Sequence, residues 1–159
     1  SMAHSAYGAL ASDIHQTAER SQPMPATADR AAQVADIFAA LEREVLAGIE
    51  RAGIARADTE LVRSVDMRYR RQVHDLLIPF PEGAVDGVAL EEAARRFEAA
   101  YEGAYGKGSG FSDAGIDCSV FRIKGIGRTK KPQLVAQATG AAPVGAHRAL
   151  YEPRQDRVV

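Results

Sequence analysis

Four arginines crowd the stretch "RSVDMRYRRQVHD" (residues 63–75), together with acidic, amide and imidazole side chains. Such a cluster is typical of a substrate-binding cleft, a nucleic-acid surface, or a strand face that forms ion pairs. One set of these residues can line a cleft from a strand face, on which alternate positions point the same way: Asp66, Arg68, Gln72, His74 and, beside them, Asp75. Because the rigid fork of arginine binds carboxylates within a sheet or between subunits, we favour this structural role over catalysis.

The charge balance argues against a nucleic-acid or membrane partner. The 20 basic and 21 acidic residues leave a net charge of −1, with a pI near 6.4. Bulk attraction to nucleic acid or an anionic membrane needs a clear basic excess. The apolar runs are far shorter than the roughly 20 residues that span a bilayer. A single cysteine, Cys118, rules out an internal disulfide and suits a reducing compartment, so we expect a cytoplasmic protein.

No motif predicts a catalytic or metal site. The glycine-rich run "GKGSGF" (106–111) lacks the Lys-Ser/Thr pair of a phosphate-binding loop and precedes a strand instead of a helix. The histidines lie far apart, without the spacing of a zinc site: His4, His15, His74 and His147. Cys118 has no histidine nearby in sequence, so we predict a buried structural thiol. We therefore assign no catalytic, metal or cofactor-binding residue and expect no cofactor in this chain.

Three segments have the period of amphipathic helices. The weakest covers residues 5–20 and predicts an N-terminal helix and linker over 1–28. The clearest has apolar residues at i, i+3, i+4 and i+7: Val34, Ile37, Phe38, Leu41, Val45 and Ile49. The third, over 88–104, follows Asp86 as a capping residue. The clearest of the three, the helix with Val34 to Ile49, needs a partner surface on which to bury its apolar stripe.

Two segments have the pattern of strands. From Glu60 onward the apolar residues alternate, and the alternation slips by one position near residues 74–75, which predicts a β-bulge. Residues 116–128 are rich in β-forming residues and predict a more buried strand. Because two strands do not form a stable sheet, the sheet must recruit strands from the chain ends or elsewhere. We predict an α+β fold, with a small, mainly antiparallel sheet packed with two long amphipathic helices plus an N-terminal helix.

Several segments, in their order, resemble the C-terminal domain of the hydantoinase/oxoprolinase family, in its A-type subunit. The stretch "SVDMRYRRQVHDLLIPF" (64–80) resembles D-x-R-Y-x-G-Q followed by L-x-V-P, and "FEAAYEGAYG" (97–106) is similar to F-x-x-x-H-x-x-x-Y-G. The stretch "IDCSVFRIKGIGRTKKP" (116–132) resembles a strand with E-x-V-x-x-R followed by I-G-R. Near the N-terminus, "HSAYGALASDI" (4–14) resembles the S-A-x-G linker into this domain.

The resemblance covers residues 4–132 and places the α+β core at 29–132, followed by an irregular, truncated segment at 133–159. The matching positions are family-typical residues and interface candidates: Asp66, Arg68, Tyr69, Gln72, Phe97, Tyr105, Gly106 and Arg122. The pattern is broken at Arg71, where the family usually has glycine, and at Tyr101, where it usually has histidine. No catalytic role is carried over to any of these positions.

What the resemblance implies is a domain of an ATP-dependent enzyme that hydrolyses cyclic amides, as N-methylhydantoinases and 5-oxoprolinases do. ATP and a divalent metal would be bound by an upstream actin-like region, and a B-type subunit would be a further partner. The domain would not be catalytic alone. It would pack against these partners through the arginine-bearing strand face and the apolar stripe of the helix over 34–49.

Three alternatives remain open from the sequence. The first is the corresponding domain of an acetone or acetophenone carboxylase subunit, which the same family resemblance allows. The second is a stand-alone protein-interaction module that shares only the fold. The third is an RNA-binding module, suggested by the arginines at 68–71 and by "RTKKP" (128–132), although the strands lack interleaved aromatic residues.

Overall fold

The structure, a computed structural model, describes residues 12–129 and two short strands near the C-terminus. Four strands and two long helices form the described core: β1 Ile14–Pro25, α1 Ala31–Arg51, β2 Thr59–Tyr69, β3 Leu76–Pro79, α2 Gly87–Tyr105 and β4 Ile116–Gly127. The strands β5 (Tyr151–Glu152) and β6 (Arg157–Val158) pair with each other in antiparallel orientation. The division of the chain at residues 28 and 132 stays a prediction.

The four core strands form one sheet in the order β1-β4-β2-β3, and all neighbours are antiparallel. It follows that β1 and β2 run parallel on either side of β4, with α1 as their connection. In the same way β3 and β4 run parallel on either side of β2, with α2 as their connection. Two split β-α-β units are thus interlocked, and the predicted α+β fold with a small antiparallel sheet and two long helices is confirmed.

Helix α1 covers the sheet with the apolar stripe that the sequence predicts. Its inward residues are almost completely buried: Val34, Ile37, Phe38, Leu41, Val45 and Ile49. Gly125 lets the helix approach β4 closely, because a Cβ at this position would lie 2.4 Å from Cγ1 of Val45. The stripe therefore packs on the sheet of its own domain, and the expectation that it packs on a partner is wrong.

Helix α2 begins where the sequence predicts, at the capping residue Asp86. The backbone N–H of Ala89 donates to Oδ1 of Asp86 at 2.9 Å, which satisfies one of the free donors of the first turn. Its buried face packs over β2 and β3: Ala89, Leu90, Ala93, Phe97 and Tyr101. No helix in the described part of the chain is long and apolar enough to cross a membrane.

The N-terminal region forms a strand where the sequence predicts a helix. Strand β1 pairs with β4 from Ile14, opposite Gly127, to Pro25, opposite Asp117, and Ala18 lies in the core. The hydrogen bonds that β4 offers along its second edge outweigh a weak helical period, as tertiary context often does. The predicted helix is therefore wrong for residues 14–20, while residues 1–11 lie outside the described part. The strand recruited from a chain end is the one that the sheet requires.

The slip in alternation near residues 74–75 marks a hairpin connection and not a β-bulge. Strand β2 ends at Tyr69, the chain turns over residues 70–75, and β3 returns antiparallel to β2. Arg71 holds the turn with φ at 72°, the only positive φ of a non-glycine residue in the described part. This left-handed conformation favours glycine, because a Cβ crowds the following carbonyl there.

Candidate functional site

The sheet has helices on one face, and the opposite face, named here the open face, carries no helix in the described part. Its side chains lie at the positions that alternate with the buried core residues of each strand. They are His15, Thr17, Glu19 and Ser21 of β1, Val120, Arg122, Lys124 and Ile126 of β4, Glu60, Val62, Ser64, Asp66 and Arg68 of β2, and Leu77 and Pro79 of β3. An antiparallel sheet can leave one face in water, so the chemistry of these side chains decides what the face does.

Arg122 forms the centre of the open face. Its Nε donates to Oε2 of Glu19 at 3.0 Å, and its Nη2 lies 3.3 Å from Oδ2 of Asp66. The hydrogen bond to Glu19, with the one to Asp66, raises the pKa of the Arg122 guanidinium, so the residue stays a cation. Three strands are thereby joined by one ion triplet, which fixes the side chain of Arg122 on the surface.

A second polar group extends the open face towards the β2–β3 turn. Nη1 of Arg68 lies 3.7 Å from Oδ1 of Asp75, and the hydroxyl of Ser119 donates to Oδ2 of Asp75 at 3.0 Å. Ser119 is buried, and its hydroxyl also lies 3.2 Å from the backbone carbonyl of Asp66. The turn is thus held onto β4 by hydrogen bonds, and Arg68 is directed along the face.

Apolar side chains border these charges. Val62 is 42% exposed and Leu77 57% exposed, and both lie on the half of the open face nearest to β3. Exposed apolar area rimmed by ordered ion pairs is typical of transient and interdomain interfaces, which are more polar than a protein core. The open face is therefore the first candidate interaction surface.

The second candidate lies at the end of the sheet beside the β2–β3 turn, and is named here the aromatic end. It consists of five rings: Tyr69, Phe97, Tyr101, Tyr105 and Phe111. The Tyr69 ring centroid lies 4.9 Å from those of Phe97 and Tyr101 and 6.2 Å from that of Phe111. Tyr101 continues the cluster to Tyr105, with 4.5 Å between centroids. The rings pass from the buried core to exposed Tyr105 and Phe111 without interruption.

The hydroxyl of Tyr69 is buried without a hydrogen-bond partner in the described part of the chain. It lies beneath the glycine-rich loop, so that a Cβ at Gly110 would come within 3.0 Å of it, and the backbone of Phe111 approaches it without reaching hydrogen-bond geometry. Burial raises the pKa of the Tyr69 phenol, the nearby backbone of Phe111 offsets part of this rise, and the carboxylates of Glu98 and Glu102 raise the pKa further. The phenol is therefore neutral, with a proton available to donate.

A small pocket opens beside this hydroxyl. Its volume is about 210 Å³, and it is lined by Tyr69, Arg70, Arg71, Gln72, Phe111 and Ala114. Nε2 of Gln72 donates to the hydroxyl oxygen of Tyr101 at 2.9 Å, which ties the turn to α2. Nη2 of Arg70 lies 3.2 Å from Oδ1 of Asp117, and this ion pair ties the turn to β4. The pocket walls are therefore contributed by the end of β2, by the turn and by the segment that joins the glycine-rich loop to β4.

The eight family-typical residues divide between the two regions. Asp66, Arg68 and Arg122 lie together on the open face, whereas Tyr69, Gln72, Phe97, Tyr105 and Gly106 lie at or around the aromatic end. Arg71 and Tyr101, the two departures from the family pattern, also lie at the aromatic end. The predicted cleft along residues 66–75 is thus divided, because the chain turns after Tyr69.

Some residues of both regions are absent from the sequence-based predictions. Glu19 binds Arg122 from 103 positions away, on a strand that the sequence does not predict. Phe111 follows a glycine-rich loop, and nothing in its spacing marks it as part of an aromatic cluster. Of these additional residues, only Val62 could be placed from the sequence, because strand alternation puts it on the face opposite to Val65.

The remaining candidates are a buried thiol and a surface groove. Cys118 is fully buried, and burial raises the pKa of its thiol to about 12, as for an inert structural cysteine. A groove of about 680 Å³ runs beside the end of β2, and its central pair, Arg63 with Glu42 at 2.6 Å, joins the sheet to α1. Among the described residues no group of three or more histidine, cysteine or acidic side chains is placed to hold a metal.

Comparisons with known proteins show what the chain is similar to. The family model described as the hydantoinase/oxoprolinase C-terminal domain matches residues 22–155. A nucleotide-free structure of acetone carboxylase, from work on ATP-dependent acetone carboxylation, superposes with a TM-score of 0.70 and 23% identity over 81% of this chain. The ATP-dependent caprolactamase from Pseudomonas jessenii superposes with a TM-score of 0.70 and 19% identity over 95% of this chain. The matched region spans only 19% and 23% of those two chains, and no curated sequence matches significantly.

Proposed function

Because the chain belongs to the hydantoinase/oxoprolinase C-terminal domain family, we propose that it is the assembly domain of a larger ATP-dependent enzyme that hydrolyses cyclic amides. The domain is not catalytic alone in this proposal. Its fold is shared with one part of an acetone carboxylase and one part of a caprolactamase. Each of these two enzyme chains is about four to five times longer than the matched region. Both of those enzymes are described as ATP-dependent.

The observation that carries the proposal is the open face. A sheet with one helix-covered side presents on its other side an ordered ion triplet around Arg122, next to exposed Val62 and Leu77. A second layer of protein would bury those apolar side chains and keep the ion pairs as its polar contacts. The partners are the upstream actin-like region of the parent protein and a B-type subunit, in the cytoplasm.

Nucleotide chemistry belongs to the rest of the parent in this proposal. ATP and a divalent metal are bound by the actin-like region, and the domain holds that region in its active arrangement. The glycine-rich loop at residues 106–110 is followed only by one 3-10 turn, Ser112–Ala114, before β4, so it lacks the α-helix N-terminus on which phosphate-binding loops depend.

The test is assembly of this chain with the rest of its parent polypeptide, both purified and titrated in a calorimeter. Arg122→Glu reverses the central charge of the open face, and we expect it to weaken the complex at least tenfold while the isolated chain stays folded. The matched control is Arg95→Glu on the outer side of α2, where Arg95 is exposed and, among the described residues, pairs with Glu92 alone. Equal affinity of the Arg122→Glu and wild-type chains would contradict the proposed surface.

A second measurement identifies the reaction of the assembled enzyme. ATP hydrolysis is followed with hydantoin, with 5-oxoproline, and with acetone plus bicarbonate. We expect stimulation by a cyclic amide, and by the complete assembly only. Stimulation by acetone and bicarbonate alone would instead assign the domain to a carboxylase, and ATP turnover by this chain by itself would overturn the assembly role.

A further inference from the structure

We propose that the aromatic end is a socket for a segment of the rest of its parent polypeptide in the assembled enzyme. The segment places an apolar side chain in the pocket, a backbone carbonyl on the Tyr69 hydroxyl and a carboxylate opposite Arg71. This inference rests on the proposed assembly function, but it assigns a second contact that is separate from the open face.

The hydroxyl of Tyr69 has no hydrogen-bond partner among the described residues. The residue is 1% exposed, and a buried hydroxyl without a partner destabilises the folded chain, so such groups are rare in native proteins. Phenylalanine would fill the same space without this cost. Since the phenol is neutral and the adjacent loop backbone leaves its proton unused, the hydroxyl is suited to donate to an incoming carbonyl oxygen.

The pocket has the size and lining of a site for one side chain. About 210 Å³ is smaller than the roughly 300–1,000 Å³ of small-molecule sites, and is close to the volume of one large side chain. Phe111 in the pocket wall is 59% exposed, and two further exposed apolar residues belong to the same end of the sheet: Tyr105, whose ring packs on Tyr101, at 55%, and Val73 of the turn, at 83%. Exposed aromatic residues around a pocket are the usual anchors of protein interfaces.

Charge is distributed unevenly around the opening. Arg71 is exposed and forms no ion pair with any described residue, and it is held in a left-handed conformation that places a cation on the turn. Arg70 beside it is neutralised by Asp117. On the α2 side, the negative charges of Glu98 and Glu102 face Tyr69 and raise the pKa of its phenol. Glu102 also accepts a hydrogen bond from the backbone N–H of Gly108. A carboxylate of the incoming segment is therefore favoured only on the Arg71 side.

The experiment compares binding and stability in the same variants of the full chain. The rest of the parent polypeptide is titrated into Tyr69→Phe, Phe111→Ala and Arg71→Glu chains, and each chain is unfolded in urea. We expect Tyr69→Phe to bind about fivefold more weakly, the typical effect of one lost hydrogen bond, while its urea midpoint stays equal or rises. Phe111→Ala and Arg71→Glu are expected to bind at least tenfold more weakly. Val88→Ala is the matched control, because Val88 is 70% exposed at the other end of α2.

The outcomes separate this inference from the proposed function. Weaker binding with undiminished stability in Tyr69→Phe supports the socket, because a purely structural tyrosine would not give both effects. Wild-type affinity in Tyr69→Phe and Phe111→Ala, with loss of affinity in Arg122→Glu, overturns the socket and leaves the assembly function in place. If the wild-type chain does not bind the rest of its parent, both proposals fail.

Discussion

The two faces of the sheet are built from the same strands but differ in the interactions of their side chains, which are apolar contacts on one face and ion pairs on the other. On the helix-covered face, Val65, Phe121 and Ile123 are completely buried under α1 and α2. On the open face, the adjacent positions carry Asp66 and Arg122, whose ion pairs are partly exposed to solvent. Alternation along each strand puts these two environments one residue apart.

The difference separates stability from interaction. Burial of apolar area on the helix-covered face supplies most of the folding free energy, whereas exposed ion pairs contribute on the order of 0–1 kcal/mol each. The open face can therefore change to suit a partner at little cost to the fold. Substitutions on the two faces should show this contrast directly.

The largest contrast is expected between two valines of β2. Val65→Ala removes two buried methyl groups and should lower the unfolding free energy by about 2–3 kcal/mol. Val62→Ala, on the open face, should change it by about 0.5 kcal/mol or less. Urea unfolding of both variants gives the comparison, and equal losses would mean that the open face is also part of the core.

A smaller effect is expected where helix and sheet touch most closely. Gly125→Ala places a methyl group within 2.4 Å of Val45 and 2.7 Å of Ile49, so it should cost about 1–3 kcal/mol through overpacking. Gly103→Ala is the matched control, since nothing lies within 4 Å of its Cβ position and alanine favours a helix by up to about 1 kcal/mol. The two substitutions should shift the thermal unfolding temperature in opposite directions. An unchanged unfolding temperature in Gly125→Ala would show that α1 can shift outward.

The buried thiol on the helix-covered face should make the unfolding free energy depend on pH. The pKa of Cys118 is raised from 9.0 to about 12, so between these values the folded chain keeps a proton that the unfolded chain has lost. Its contribution to stability is therefore complete below about pH 9 and falls as the pH rises, with a slope of up to about 1.4 kcal/mol per unit. The unfolding free energy measured with urea should fall less steeply between pH 8 and pH 11 in Cys118→Ala than in the wild-type chain. Identical slopes would mean that the thiol ionises in the folded chain.

The smallest effect is expected at the ion triplet. Glu19→Gln should lower the unfolding free energy by about 0.5 kcal/mol or less, because the Glu19 side chain is 62% exposed and its ion pair is screened. Asp66→Asn should cost more, about 1 kcal/mol, since Asp66 is more buried and the variant leaves Arg122 with one carboxylate. Both differences should shrink in 0.5 M salt if charge is the cause. A loss in Glu19→Gln as large as that of Val65→Ala would remove the contrast between the faces.

The helices and the two central strands could be predicted from the sequence because local patterns specify them. The stripe from Val34 to Ile49 repeats over more than four turns, and Asp86 marks the start of the next helix. Strand β1 could not be predicted in this way. Ile14, Gln16 and Ala18 alternate too weakly to indicate a strand, and only pairing with β4, about a hundred residues away, makes them one.

The candidate sites were predictable only in part for the same reason. Parity along β2 places Asp66 and Arg68 on one face, and this prediction is confirmed. The turn after Tyr69 was hidden because an arginine occupies the left-handed position that a glycine would have signalled. The meeting of Tyr69 with Phe111 and of Arg122 with Glu19 depends on strand order, which no local pattern encodes.

The order of the strands has a consequence for how the chain is made. Strand β4 lies between β1 and β2, yet it begins at Ile116, so it is synthesised after the other three core strands. Until then β1 has no neighbour among the described strands, and β2 has among them only the short hairpin partner β3. Closure of the sheet must wait for its last strand to bridge the widest sequence separations, which slows folding and leaves apolar surfaces accessible to chaperones.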